Sequence, residues 1–123
     1  MTKSELLGAF GEAWRGRDID LLMSFMTDDC EFRASVGNGP GTVFQGRDDV
    51  RRGFQIVLGY DREVTQVDLG LVFVSGNHGA VQWTYAKADG TKVYGCDLYE
   101  FSGERIRVKD AYRKVHAELP GVN

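Results

Sequence analysis

A chain of 123 residues has room for one domain around one hydrophobic core. Its 42% hydrophobic and 27% charged residues are ordinary for a globular domain, and its net charge of −3, with both signs interspersed, leaves no basic stripe of the kind that binds nucleic acid. No apolar run approaches the ~20 residues that a bilayer demands, and "MTKSELLGAF" lacks the apolar core of an export signal, so a soluble, cytoplasmic protein without membrane contact is expected.

The first element is predicted to be helical. Thr2 and Glu5 have the spacing of a capping box, and Leu6, Leu7, Phe10, Ala13 and Trp14 recur at helical intervals until Gly16 stops them. Asp18 can cap a second, short helix whose stripe is Ile19, Leu22, Phe25 and Met26. From Cys30 the period changes to two, with Cys30, Phe32, Ala34 and Val36 alternating against Glu31, Arg33 and Ser35, as in a half-buried strand. The segment "GNGPGTVFQG" holds four glycines and a proline in ten residues and reads as a loop. A third helix follows, with Asp48 and Asp49 in its first turn, an apolar face of Val50, Phe54, Val57 and Leu58, and Gly59 as its end.

The second half reads as a four-strand meander. A strand from about Arg62 to Val74 turns at "SGNHG", "AVQWTYAKA" runs to the Asp89-Gly90 hairpin signal, "TKVYGCDLYEF" turns at "SGER", and "IRVKDAYRKV" closes the domain. Three helices and such a meander imply an α+β fold with the helices on one face of the sheet. Cys30 and Cys96 show neither CxxC nor Cys/His ligand spacing, so reduced structural thiols are expected and no metal or other cofactor is implied.

The order of elements, together with "RGRDIDLLMSFMTDDCEF", "FQGRDDVRRGF" and "GCDLYEFSGERI", resembles the nuclear transport factor 2-like, or SnoaL-like, superfamily over nearly the whole chain. That resemblance implies a single domain over residues 1–123, a cone-shaped curved antiparallel sheet backed by three N-terminal helices, an apolar pocket between them, and a homodimer formed through the outer sheet face. Members range from ketosteroid isomerase, scytalone dehydratase, limonene epoxide hydrolase and polyketide cyclases to non-catalytic adaptors, so the motifs specify fold better than activity.

Residue by residue, the resemblance yields mostly absences. Where ketosteroid isomerase has its general base, this chain has Ala34, and the tyrosines of the first and third helices are replaced by Phe10 and Phe54. The second oxyanion-hole donor does match, as Asp97. The Asp-Arg-Asp set of limonene epoxide hydrolase would need an Arg and an Asp near Trp83 and Tyr85 and another Asp near Ala111, and none is present. Scytalone dehydratase relies on pocket histidines, whereas the two here are His78, in a turn, and His116, near the C-terminus.

Asp97 is therefore the most informative position. Its strand places Val93, Gly95, Asp97, Tyr99 and Phe101 on one face, so a carboxylate stands among apolar and aromatic groups, where desolvation demands that it be paired or protonated. Such a group can donate to a developing oxyanion, act as a general acid or base, or simply be a structural carboxylate paired to a cation. On the last strand, alternation alone turns Ile106, Val108, Tyr112 and with them Asp110 inward, whereas the resemblance turns Lys109, Ala111 and Arg113 inward. A β-bulge near Val108 would reconcile the two. Lys109 would then pair with Asp97, and Arg113 would stand near the rim as a second anion contact. Phe10, Phe32, Ala34, Phe54, Trp83, Tyr85, Tyr99 and Arg113 are the expected substrate-binding residues, and Asp97 and Lys109 the expected catalytic ones.

Two functions follow as expectations. One is a cofactor-independent enzyme performing proton-transfer isomerisation, cyclisation or lyase chemistry on a partly apolar cyclic or carbonyl small molecule. The other is a non-catalytic ligand-binding or dimerisation module in which the Asp97 pair is structural. Epoxide hydrolysis is disfavoured by the missing triad. An enzyme should leave Asp97 reaching an open cavity, and a structural role should bury it against Lys109 or Arg113.

Overall fold

The polypeptide begins with the capping box its sequence announces. In a computed structural model describing residues 1–122, the Thr2 hydroxyl accepts the Glu5 amide at 3.0 Å and the Thr2 amide donates to the Glu5 carboxylate at 2.8 Å. Helix α1 (Lys3–Arg15) then buries Leu6, Leu7, Phe10, Ala13 and Trp14 and ends at Gly16. Asp18 caps α2 (Ile19–Ser24), accepting the Leu21 amide at 3.1 Å.

Helix α2 is shorter than its expected stripe. Phe25 and Met26 fall beyond it because the Phe25 carbonyl accepts the amide of Ile106 at 2.8 Å. That bond commits the chain to the sheet, and β1 (Met26–Arg33) starts four residues earlier than the alternation predicts. A second correction concerns the glycine-rich segment, which contains a short strand, β2 (Val43–Gln45), antiparallel to β1. Its Phe44 stacks on Phe32 with ring centroids 5.8 Å apart, and burial of that side chain outweighs the poor strand character of its neighbours. Helix α3 (Arg47–Tyr60) runs one residue past Gly59, and Asp61 is its C-cap.

The meander comprises β3 (Val64–Ser75), β4 (His78–Lys87), β5 (Lys92–Ser102) and β6 (Arg105–Arg113). The sheet order is β2-β1-β6-β5-β4-β3. All pairings are antiparallel except β1 with β6, which is parallel because the chain crosses from one edge of the sheet to the other through α3 before the meander returns. The result is an α+β fold in which a curved, unclosed sheet carries α1 and α3 on its inner face, with α2 packed against both helices. Helix α1 lies over β3, and α3 lies over β1 and β2. Between them Phe10, Phe32, Phe54 and Trp14 interlock edge to face at centroid distances of 4.9–6.3 Å.

The bulge expected near Val108 is present. Glu100 pairs with Val108 but Phe101 pairs with Ile106, so Arg107 is the extra residue. Ile106 faces the core before it, Lys109 and Ala111 face inward after it, and Asp110 and Tyr112 face outward. Among the described residues, no helix is long and apolar enough to cross a membrane.

Candidate functional site

Strand register alone brings the polar residues together. Lys109 lies between Phe32 and Tyr99 across the sheet, and Asp97 lies between Val81 and Ala111. Those two neighbours of Asp97 are small, which leaves room for longer side chains to reach its carboxylate diagonally. Lys109 Nζ donates to Oδ2 at 2.8 Å, the Tyr99 hydroxyl donates to Oδ2 at 3.1 Å, and the Trp83 indole Nε1–H donates to Oδ1 at 3.0 Å.

Gly95 makes the tryptophan contact possible. It pairs with Trp83, and a methyl group at its Cα would lie 2.3 Å from the indole ring. The ring therefore lies across β5 with its nitrogen aimed at Asp97, stacked on Tyr85 at 4.2 Å.

Asp97 and Lys109 are both buried, their side chains 8% and 4% exposed. Charges taken so far from water need compensation, and a carboxylate with three donors has it. The ammonium is less completely served. Among the described residues only one of its three N–H groups has an acceptor, and its nitrogen sits 4.5 Å from the centroid of Trp14 and 5.6–5.9 Å from those of Phe32, Tyr99 and Phe10. Four ring faces surround it, and their quadrupoles supply part of what water would.

Burial, followed by the negative charge of Asp97 and the hydrogen bond to it, holds the Tyr99 phenol well above the ordinary tyrosine range. Burial and then the charges of Asp97 and Asp61 raise Tyr85 in the same direction. Both hydroxyls remain protonated donors at neutral pH.

Arg113 behaves differently from its expected role as a free anion contact. Its guanidinium forks onto Asp61, with Nη1 to Oδ1 at 3.0 Å and Nη2 to Oδ2 at 2.7 Å, while Nε donates to Ser35 at 3.2 Å. The rings of Tyr60, Trp83 and Tyr85 lie 5.5–5.9 Å from it.

The interior space beside Asp97 and Lys109 is small, about 20 Å³, or room for one water. Phe10, Trp83, Tyr85 and Tyr99 border it. Phe32, Ala34 and Phe54 do not: they are sealed in the packed core, and Phe32 meets the site only through the Lys109 ammonium. Gly11 and Leu69, which the sequence does not single out, and Trp14, which it marks only as core, also line the space. Leu69 occupies the place a Gly11 side chain would take, since a methyl group there would be 2.5 Å from its Cδ1. Asp97 is thus buried against Lys109, not Arg113, and reaches no open cavity.

Neither histidine approaches the site. His78 is exposed at the start of β4, and His116 is exposed beyond β6. Cys30 and Cys96 are both free thiols. Among the described residues, no group of His, Cys, Asp and Glu is arranged to hold a metal.

The SnoaL-like domain family model matches residues 7–109. This chain belongs to that family. No curated protein matches it. Among solved structures, a nuclear transport factor 2-like protein of unknown function from Mesorhizobium loti is similar at 24% identity and TM-score 0.76, over 94% of this chain and 96% of that one. A candidate ketosteroid isomerase from Kribbella flavida is similar at 15% identity and TM-score 0.78, over 97% of this chain and 82% of that one. A de novo designed protein with a curved β-sheet reaches 17% identity and TM-score 0.74, over 93% and 88%. At such identities the likeness is one of fold.

Proposed function

We propose that this SnoaL-like chain is a cofactor-independent enzyme for a small, partly apolar carbonyl or cyclic substrate, with proton-transfer chemistry of the isomerase, cyclase or lyase kind centred on Asp97 and Lys109. The observation that supports this reading is the incompletely satisfied ammonium. Lys109 is buried, held by one carboxylate, and among the described residues keeps two N–H groups without acceptors beside the interior space. A substrate carbonyl oxygen placed there would accept one of them, and the same N–H would stabilise an enolate more strongly than the ketone. Asp97, 2.8 Å away, would take or return the proton at the adjacent carbon. Tyr99 and Trp83 would hold the carboxylate in place. Because the space is now only about 20 Å³, substrate access requires α1 and the edge strand β3 to part, moving Leu69 away from Gly11.

That small volume, and the burial of Asp97 against Lys109 expected of a structural carboxylate, favour the second reading, a non-catalytic module whose Asp97–Lys109 pair is purely structural. The two are separated by a nuclear magnetic resonance screen with cyclic ketones and enones that monitors the Trp83 indole N–H, which touches Asp97. Movement of that resonance, lost in Asp97→Asn, is expected. If no such compound at millimolar concentration moves it, the structural reading stands.

The protein is further proposed to be a homodimer. The outer sheet face bears Gln82, Thr84, Cys96 and Leu98, and the exposed Leu98, Tyr112, Leu71 and Phe73 make it an apolar surface that a second copy would cover.

A further inference from the structure

The room for a ring-sized ligand lies elsewhere, at the wide end of the cone. A depression of about 700 Å³ opens there between the end of α3, the start of β3, the β4–β5 hairpin and the residues that follow β6. That volume is typical of small-molecule sites. Five cations line it, Arg62, Lys87, Lys92, Arg113 and Lys114, against two carboxylates, Asp61 and Glu63. In a chain whose net charge is −3, this is a local excess of positive charge.

Most of that charge is unspent. Arg113 is committed to Asp61, but among the described residues Arg62, Lys87, Lys92 and Lys114 have no carboxylate within ion-pair distance. The same walls carry apolar and aromatic surface. Tyr60 is 60% exposed, its ring beside the Arg113 guanidinium, and Tyr94 and Val93 flank Lys92.

From this combination we infer that the wide end of the cone is a binding site for an aromatic or cyclic carboxylate. The carboxylate would be held by Lys92 and Lys114, which project from neighbouring strand ends tied by the Lys114 amide donating to the Tyr94 carbonyl at 2.8 Å. The ring would lie against Tyr94, which is 49% exposed and shares the Lys92 face of β5. A neutral ring would find the apolar wall but leave four cations uncompensated, and a small inorganic anion would find the cations but leave the wall bare. The site shares no lining residue with the space beside Asp97.

The test is a titration with 2-naphthoate, its neutral amide 2-naphthamide and inorganic phosphate, followed at the backbone amides of Val93, Tyr94 and Lys114. The protein, its Asp97→Asn variant and a Lys92→Gln/Lys114→Gln variant are compared, the last altering only exposed side chains. Naphthoate is expected to move these amides, to bind ~10-fold more weakly to the double variant, and to weaken further with salt. Asp97→Asn should bind it as the parent does, which keeps this test independent of the catalytic proposal. Equal binding of naphthoate and naphthamide, binding of phosphate alone, unchanged affinity in the double variant, or loss of binding in Asp97→Asn under conditions where its amide spectrum shows it folded would each overturn the assignment.

Discussion

Lys109 gives Asp97 its one buried cation, at 2.8 Å, while Asp97 gives Lys109 its one acceptor. The dependence is unequal, because the carboxylate also has Trp83 and Tyr99 and the ammonium otherwise has only aromatic faces. Removing the carboxylate charge therefore strands the cation. Asp97→Asn should lose about 3–5 kcal/mol of stability, and Asp97→Asn/Lys109→Met should recover most of it. Chemical denaturation of the single and double variants checks this. Additive losses would show that the pair is not coupled as its geometry requires.

A second expectation concerns high pH. Tyr99 and Tyr85 have phenol pKa values raised above the ordinary 10.0, principally by burial. The folded state keeps these protons where the unfolded chain releases them, so their contribution is complete below pH ~10 and is lost as pH rises beyond it. Stability measured from pH 8 to 11.5 should fall above pH ~10, and less steeply in Tyr99→Phe. Parallel curves for the two proteins would contradict the assignment.

Gly95→Ala tests the placement of Trp83. The added methyl would lie 2.3 Å from the indole and 2.3 Å from the Tyr112 carbonyl, a backbone atom with little freedom to yield. A loss of ~1–3 kcal/mol is expected, with a shift in tryptophan fluorescence as the indole leaves Asp97. Unchanged fluorescence and stability would mean that the ring does not lie over β5.

Restoring a carboxylate at Ala34 should not create a steroid isomerase. The residue does not border the interior space, which is in any case only about 20 Å³, and Phe10 and Phe54 still lack the hydroxyls expected from the family's isomerase. Ultraviolet assay of conjugated-enone formation from a β,γ-unsaturated ketosteroid with Ala34→Asp should show no turnover. Measurable turnover would require an oxyanion site larger than the one described.

Sedimentation tests the covered sheet face. A dimer at micromolar concentration is expected, shifting to monomer in Leu98→Lys, which places a charge on the exposed apolar face. A monomer throughout the accessible concentration range would end this proposal.

Much of the fold was legible because its signals are local. The Thr2–Glu5 box, the Asp18 cap and the Asp89-Gly90 turn each depend on residues a few positions apart. Strand β2 was not legible, since Phe44 is held by a stack on Phe32 twelve residues away rather than by its glycine-rich neighbours. Alternation along β5 was enough to turn Asp97 inward. Lys109 required the bulge at Arg107, which alternation opposes and only the resemblance supplied. Asp61 went unnoticed as the partner of Arg113 because 52 residues separate them and nothing in either neighbourhood points to the other. Least readable was the closed interior. Whether a ring of aromatics leaves a pocket depends on volumes such as Leu69 filling the space above Gly11, and no pattern encodes those.

The central claim, that Asp97 and Lys109 move protons, is tested most directly by hydrogen–deuterium exchange at carbon. A panel of cyclic ketones and enones is incubated with the protein in D₂O, and deuterium incorporation next to the carbonyl is followed by mass spectrometry, which requires no knowledge of the physiological product. The account predicts that at least one compound exchanges faster with the protein than with buffer, and that Asp97→Asn lowers that rate by ~100-fold or more under conditions where the variant remains folded. Exchange that is equally fast in the folded Asp97→Asn variant, or indistinguishable from buffer for every compound that moves the Trp83 indole resonance, would contradict it.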